Sequence, residues 1–429
     1  MKKTFISILT FTVAIGFAQE KKQDSINTYK KRVLETIEVD FLTSYYSQDG
    51  DNAATSGGIG SEELTDVTAT FIVAIPLNDD DVLTIDTGIS AYTSASSSNI
   101  DPFDDGFADP FQASSGASNG DVWSNLTASY SHSSDDRNNI WSAKLSVSSE
   151  HDYFSLGFGS SYTKLFNEKN TEININASAY LDTWKPLYPS ELTTSNPSKY
   201  GAITGNSNYN PVFSEFDSKN RNSYTVGVGV SQILSKSVQG SLMLDYVNQQ
   251  GLLSTPFHRI NFSDIVDSFI DNFQLADAIE QMPNTRSKIA IGGRLNFYIN
   301  ETFVVRTYYR YYSDDWGINS HTASIEVPIK ITDKFTLYPS YRYYKQTEAD
   351  YFAPHEKHVS TEKFFTSDYD LSKYTANQYG FGITYTDIFT KTRIWKFGLE
   401  SIDLKYNNYE RNSELKSGII TAGFKFIMD

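Results

Sequence analysis

FVVRTYYRYY, residues 303–312, changes character at every second position. Phe303, Val305, Thr307, Tyr309 and Tyr311 share one face of an extended chain, and Val304, Arg306, Tyr308, Arg310 and Tyr312 share the other. Successive side chains of a strand point to opposite faces, so this stretch has an apolar side and a side that carries arginine. The alternation returns in 82–92, 171–182, 286–297, 322–330 and 335–346. Half-apolar strands repeated without helices between them predict an all-β protein, a transmembrane antiparallel β-barrel.

Working outward, the spacing of turn residues divides the chain into sixteen strands, from about 34–46 to 415–427. Tight polar turns such as Asn78–Asp81, Asn167–Asn170 and Thr332–Lys334 alternate with long loops at 47–63, 95–120, 184–221, 250–284 and 348–375. An even strand number places both termini on the periplasmic side and the long loops outside the cell. The last strand alternates Ile420, Ala422, Phe424 and Phe426 with Thr421, Gly423 and Lys425.

The N-terminus reads as an export leader. Lys2 and Lys3 precede the apolar run Phe5–Phe17, and Gly16-Phe17-Ala18 forms a small-x-small cleavage site. Residues 1–18 are therefore expected to be a signal peptide, 19–32 a short periplasmic segment, and 33–429 one barrel domain in the outer membrane. The segment 19–32 is too short for the plug domain of an energised uptake receptor.

Composition agrees. The chain has no cysteine, which excludes disulfides, thiolate metal sites and covalent haem attachment. Its 29 Tyr and 28 Phe suit the aromatic girdles of a barrel. A formal net charge of −16 argues against nucleic acid as a partner. Outer-membrane lipids are the expected surroundings.

Strand parity assigns the lumen. Glu38, Asp40, Asp86, Asp182, Asp245 and Glu326 fall on the inward face with Lys288, Arg294, Arg306, Arg310 and Arg342. Ile37, Val39, Ile85, Ile291, Val305, Ile325 and Tyr341 fall on the outward face. A charge on the lipid side costs about 2–4 kcal/mol at the midplane, so the charged set must point inward. The arginines gather in the tenth to thirteenth strands and most of the acids in the first half. Such clusters would either pair with one another or orient a polar solute.

Chemistry is harder to find. Asp101, Asp104, Asp105 and Asp109 in NIDPFDDGFADP could supply oxygen ligands to Ca2+, although their spacing is not that of an EF-hand. Gly57, Gly58 and Gly60 suggest tight turns and a segment folded into the mouth. His355 and His358 are three apart rather than in H-E-x-x-H order, and read as an exposed loop pair. No nucleophile, base and orienting group come together in the sequence. No catalytic residue, cofactor site or enzymatic activity is expected. Within 250–284, Ile265, Val266, Phe269, Ile270, Phe273, Ala276 and Ile279 recur at helical spacing, which predicts one loop helix over 263–281 capped by Ser263.

Longer strings carry a resemblance. YYSDDWGI (311–318), HTASIE (321–326), YPSYRYYKQTEADYFAP (338–354) and FTSDYDLSKYTANQYGFGI (365–383) resemble the outer-membrane barrel family known as domain of unknown function 3570. FLTSYYSQDGDNAATSGGIGSEELTD (41–66) and SASSSNID (94–101) are similar to its opening stretch. The resemblance covers most of the chain and departs at 102–119 and 263–281. It implies an exported protein of Gram-negative bacteria without an assigned activity. It also implies genes for periplasmic flavin-transfer and small lipoprotein components nearby. Two functions follow as expectations: a porin-like, substrate-selective channel or transport conduit, or a non-conducting surface scaffold for a lipoprotein or an extracytoplasmic redox or flavin-linked assembly. For the second, Tyr343–Phe352 and Asp368–Tyr374 at the rim are the expected surface determinants.

Overall fold

Antiparallel pairing runs unbroken around a barrel. The computed structural model describes residues 32–93, 121–193, 202–217, 219–270, 273–387 and 389–428. Sixteen long strands close one sheet. The first eight are β1 (Ile37–Asp49), β2 (Leu64–Pro76), β3 (Asp81–Tyr92), β4 (Asp121–Ser133), β5 (Asn139–Ser149), β6 (Tyr153–Phe166), β7 (Thr171–Trp184) and β8 (Asn220–Ser235). The rest are β9 (Val238–Gly251), β10 (Thr285–Tyr298), β11 (Val304–Asp314), β12 (Asn319–Glu326), β13 (Phe335–Gln346), β14 (Tyr374–Thr386), β15 (Phe397–Arg411) and β16 (Lys416–Met428). Each pairs with its chain neighbours, and β1 closes on β16 from Ile37 opposite Met428 to Asp49 opposite Lys416. Closure leaves no open edge, as a bilayer demands.

The wall follows the alternation. Val67, Phe71, Leu145, Leu244, Ile291 and Tyr309 are all exposed on the outer face, the side that lipid would cover. Register carries this face from strand to strand: Leu244 lies opposite both Val228 and Ile291. The predicted twelfth strand, 320–331, is interrupted. Val327 and Pro328 separate β12 from a two-residue pairing at Ile329–Lys330. Pro328 has no N–H for the ladder, although its carbonyl still accepts the amide of Val304 at 3.1 Å.

One end carries the long loops, and the buried apolar clusters of the described residues all lie there. Tyr153, Trp184, Leu252 and Phe257 form one cluster, and Ile260, Phe262, Ala278 and Phe365 another. Leu253, Met282 and Trp316 pack together, as do Tyr374, Ala376, Tyr409 and Leu415, and Tyr46, Leu64 and Ile419. The hydrophobic core is thus a cap across the barrel end.

The helix expected over 263–281 does not form in the described part of that segment. Ser268–Ile270 pairs with Ile203–Gly205 and with Phe273–Gln274, while Ala278–Ile279 pairs with Arg259–Ile260. Ser263 does not act as an N-cap, because its amide and its hydroxyl both donate to the carbonyl of His358. Phe and Ile suit strands, and bonds to distant loops outweigh the local spacing that suggested a helix.

Candidate functional site

The site is built from the inward face of the wall and the cap above it. In β1, the inward Ser44, Tyr46 and Gln48 near the loops are buried, whereas Glu38, Asp40 and Leu42 toward the turns are half-buried. The pattern repeats in β9, where Val247 and Gln249 are buried and Ser241, Met243 and Asp245 are not. The lumen is therefore filled at the loop end and hydrated toward the short turns.

In the hydrated part, opposite charges meet. Lys425 Nζ lies 3.1 Å from Glu38 and 3.2 Å from Glu400, with Asp40 facing Lys425 in register. Arg306 reaches Glu326 at 3.0 Å, and Glu326 is 3.7 Å from Lys405. Glu326 is on β12 and Lys405 on β15, so this contact crosses two intervening strands and must run through the lumen. Arg306 keeps 57% of its side chain exposed.

Other predicted positions group differently. Arg294, Arg310 and Arg342 surround Tyr308, with Arg294 5.4 Å from the ring centre. Arg310 also acts on Asp245. Asp182 belongs to the cap end, where it is buried and accepts the hydroxyl of Tyr153. Asp86 stands opposite Ile72 and Thr127, and Lys288 opposite Val247 and Asp314. Asp101, Asp104, Asp105 and Asp109 lie outside the described residues, as do residues 1–18, the expected signal peptide. Lys405, Lys425, Glu400 and Arg411 were missed. Parity within the last two strands marks the two lysines, but Glu400 sits at a register shift between Leu399 and Ser401 that parity cannot see.

The cap is tied together by polar contacts between loops. Arg259 bonds Glu191 at 2.7 Å and the carbonyl of Thr55 at 2.6 Å. Ser360 binds Asp264, Tyr209 donates to the carbonyl of Ala276, and Gln274 donates to Glu356. Gly58, at φ +90°, lies where an added Cβ would stand 2.8 Å from the carbonyl oxygen of Ser367, so only glycine lets the first long loop seat here. His358 is buried rather than exposed: it meets Glu362 at 2.5 Å and the carbonyl of Thr366 at 3.0 Å. The expected surface determinants are also partly interior. Tyr374 is 7% exposed, and Arg411 stacks 4.4 Å from its ring while pairing with Asp370 at 2.5 Å.

A buried His258–Glu280 pair sits at the centre of the cap. Nδ1 of His258 is 3.3 Å from Glu280 and 3.9 Å from Asp368. Glu280 also accepts from the amide of Thr255 and the hydroxyl of Thr366, which fills its oxygens. Burial lowers the pKa of His258, but the Glu280 hydrogen bond and the charges of Glu280, Asp368 and Asp370 raise it above its usual value overall. Burial and the charge of Asp370 push Asp368 up to about 7, and burial does the same to Glu62.

Among solved structures, a bacterial polysaccharide outer membrane secretin aligns at TM-score 0.46 and 10% identity, over 92% of this chain and 98% of that one. A BenF-like porin from Pseudomonas fluorescens Pf-5 aligns at TM-score 0.38 and 8% identity, over 92% and 100%. The outer membrane protein opdK from Pseudomonas aeruginosa aligns at TM-score 0.38 and 7% identity, over 91% and 99%. Likenesses this distant say nothing of substrate or partner. No curated protein matches the chain. A family model does: residues 17–425 match the one described as Protein of unknown function (DUF3570), and the chain belongs to that family.

Proposed function

We propose that the protein is an outer-membrane channel of Gram-negative bacteria. Its aqueous lumen opens toward the periplasm, and its outer mouth is closed by a loop cap that must yield for passage. The observation that supports this most is the half-hydrated charge network of Arg306, Glu326 and Lys405. Charges left this wet line water; a solid core would have buried the pairs or replaced them with apolar groups. Mixed charge of both signs suits a polar or zwitterionic solute better than a hydrocarbon. No enzymatic step belongs to this reading.

A specific observation favours the second reading, a scaffold that does not conduct. The cap has its own apolar clusters, with Ile260 at 0% exposure, and a plug packed this well could be permanent. Planar-bilayer recording separates the two. A channel shows a stable conductance whose selectivity shifts toward cations in Arg306→Glu and Arg310→Glu. Absence of conductance in the native protein and in a form lacking 348–375, with a lipoprotein or redox partner that co-purifies only when that loop is present, would establish the scaffold.

A further inference from the structure

We propose that Asp121, Glu150 and Asp152 form a binding site for a hard divalent cation, Ca2+, at the loop end of the barrel. Asp121 opens β4, and the other two lie in the short crossing between β5 and β6. One ligand atom from each falls within 4.8 Å of the others. Oxygens on one Ca2+, each at about 2.3–2.6 Å, lie no more than about 5 Å apart, so the spacing fits a shared ion.

Two oxygens there have nothing to bind. Asp152 is 5% exposed; its Oδ2 accepts the indole N–H of Trp184 at 3.2 Å, and its Oδ1 has no hydrogen-bond partner. Oε1 of Glu150 is likewise buried without a partner. Among the described residues no lysine or arginine forms an ion pair with any of the three acids. A polar atom buried in this way is costly, the more so if charged, unless something fills it.

The frame is already set. The amide of Glu150 donates to the carbonyl of Tyr153, and the amide of Lys185 to that of Asp152. Oδ1 of Asp121 accepts the amide of Val122 at 2.7 Å. Carboxylates alone select a hard cation, and an irregular set completed by water suits Ca2+ better than the strict octahedron of Mg2+. His151 is exposed beside the crossing and belongs to no described ligand set.

The test uses the full-length protein, folded in detergent and stripped of metal with EDTA. Tb3+ should bind and emit on excitation of Trp184, and Ca2+ should displace it. Asp152→Asn and Glu150→Gln should each weaken Ca2+ binding by about tenfold or more. Neutralising Asp101, Asp104, Asp105 and Asp109 together should leave it unchanged. Thermal unfolding guards against misfolded variants. In EDTA, Glu150→Gln should raise Tm by relieving repulsion, and Ca2+ should raise Tm of the native protein but not of the variant. The proposal is overturned if native protein, stripped of metal, binds neither Tb3+ nor Ca2+. It is equally overturned if binding follows the 101–109 acids.

Discussion

The barrel wall and the loop cap bury opposite things. In the wall, Leu244 and Ile291 face outward and Arg306 and Lys425 face in. In the cap, Ile260 and Phe262 are sealed inside, and charged groups such as Glu414 ring the outside. The wall is held by a ladder between neighbouring strands. The cap is held by contacts between residues far apart in the chain, such as Asn52 with the carbonyl of Ser413 and His355 with that of Gly57. The two regions should therefore fail separately, the cap opening while the wall stays closed.

The largest expected effect comes from Phe262→Ala. Phe262 is 1% exposed and meets Phe365 edge-on at 5.2 Å. Removing a buried ring costs about 3–5 kcal/mol, and the cap alone should bear it. Limited proteolysis should then cut the 252–284 and 347–373 loops while the barrel strands stay protected. Leu244→Ala on the outer wall should leave cap protection unchanged. Simultaneous loss of both regions in Phe262→Ala would show them to be one cooperative unit.

Arg411→Leu comes next. Arg411 joins wall to cap through Asp370, the hydroxyl of Tyr409 at 2.8 Å and the face of Tyr374. Breaking such a pair costs about 3 kcal/mol, the lower end of the range because Asp370 keeps 32% of its side chain exposed. Much of that cost is the carboxylate left without its partner. Adding Asp370→Asn should therefore restore part of the cap protection. In the channel reading, Arg411→Leu should also raise open probability. A double variant no better protected than the single one would mean that the ring stacking, not the ion pair, holds the junction.

The same division explains what was legible in the sequence. Period-two alternation is local, so FVVRTYYRYY shows its own faces, and repetition supplies the strand number and closure. Pairs such as Arg306 with Glu326 sit on adjacent strands and follow from parity. The cap leaves no such trace. Phe269, Ile270 and Ile279 stand at helical spacing, yet Phe269 and Ile270 pair with Thr204 and Ile203 on another loop, and Ile279 pairs with Arg259, twenty residues back in its own. The Asp121–Glu150–Asp152 set is equally silent, because its members come from two sides of β5. Local periodicity reveals structure whose bonds are local or ladder-like; a cap assembled from four loops needs the fold first.

The smallest effect, and the most direct probe of the cap, is its pH dependence. His258 has a raised pKa in the folded cap, so its stabilisation is fully present below its ordinary value of 6.5 and is lost as pH rises through the folded value. Asp368 is an acid raised from 3.8 to about 7, so its burial costs nothing when protonated and weighs against the cap as pH climbs through that interval. Glu62, raised to about 7, acts in the same direction. Glu280 has the opposite sign: burial raises its pKa, but the bonds from His258 and Thr366 leave it lowered, so its contribution fades only as pH falls below its ordinary 4.5. The sum predicts a cap that loosens on the alkaline side. Amide exchange in 252–284 and 347–373 should quicken, beyond its intrinsic pH dependence, as pH rises from 6 to 8. Exchange in β9 and β10 should follow the intrinsic rate alone. Asp368→Asn should flatten the response by removing the titrating acid, and His258→Gln should flatten the part above 6.5. Exchange that slows toward pH 8 would mean that ionised Asp368 strengthens the cap through His258, and would reverse the role assigned to that carboxylate.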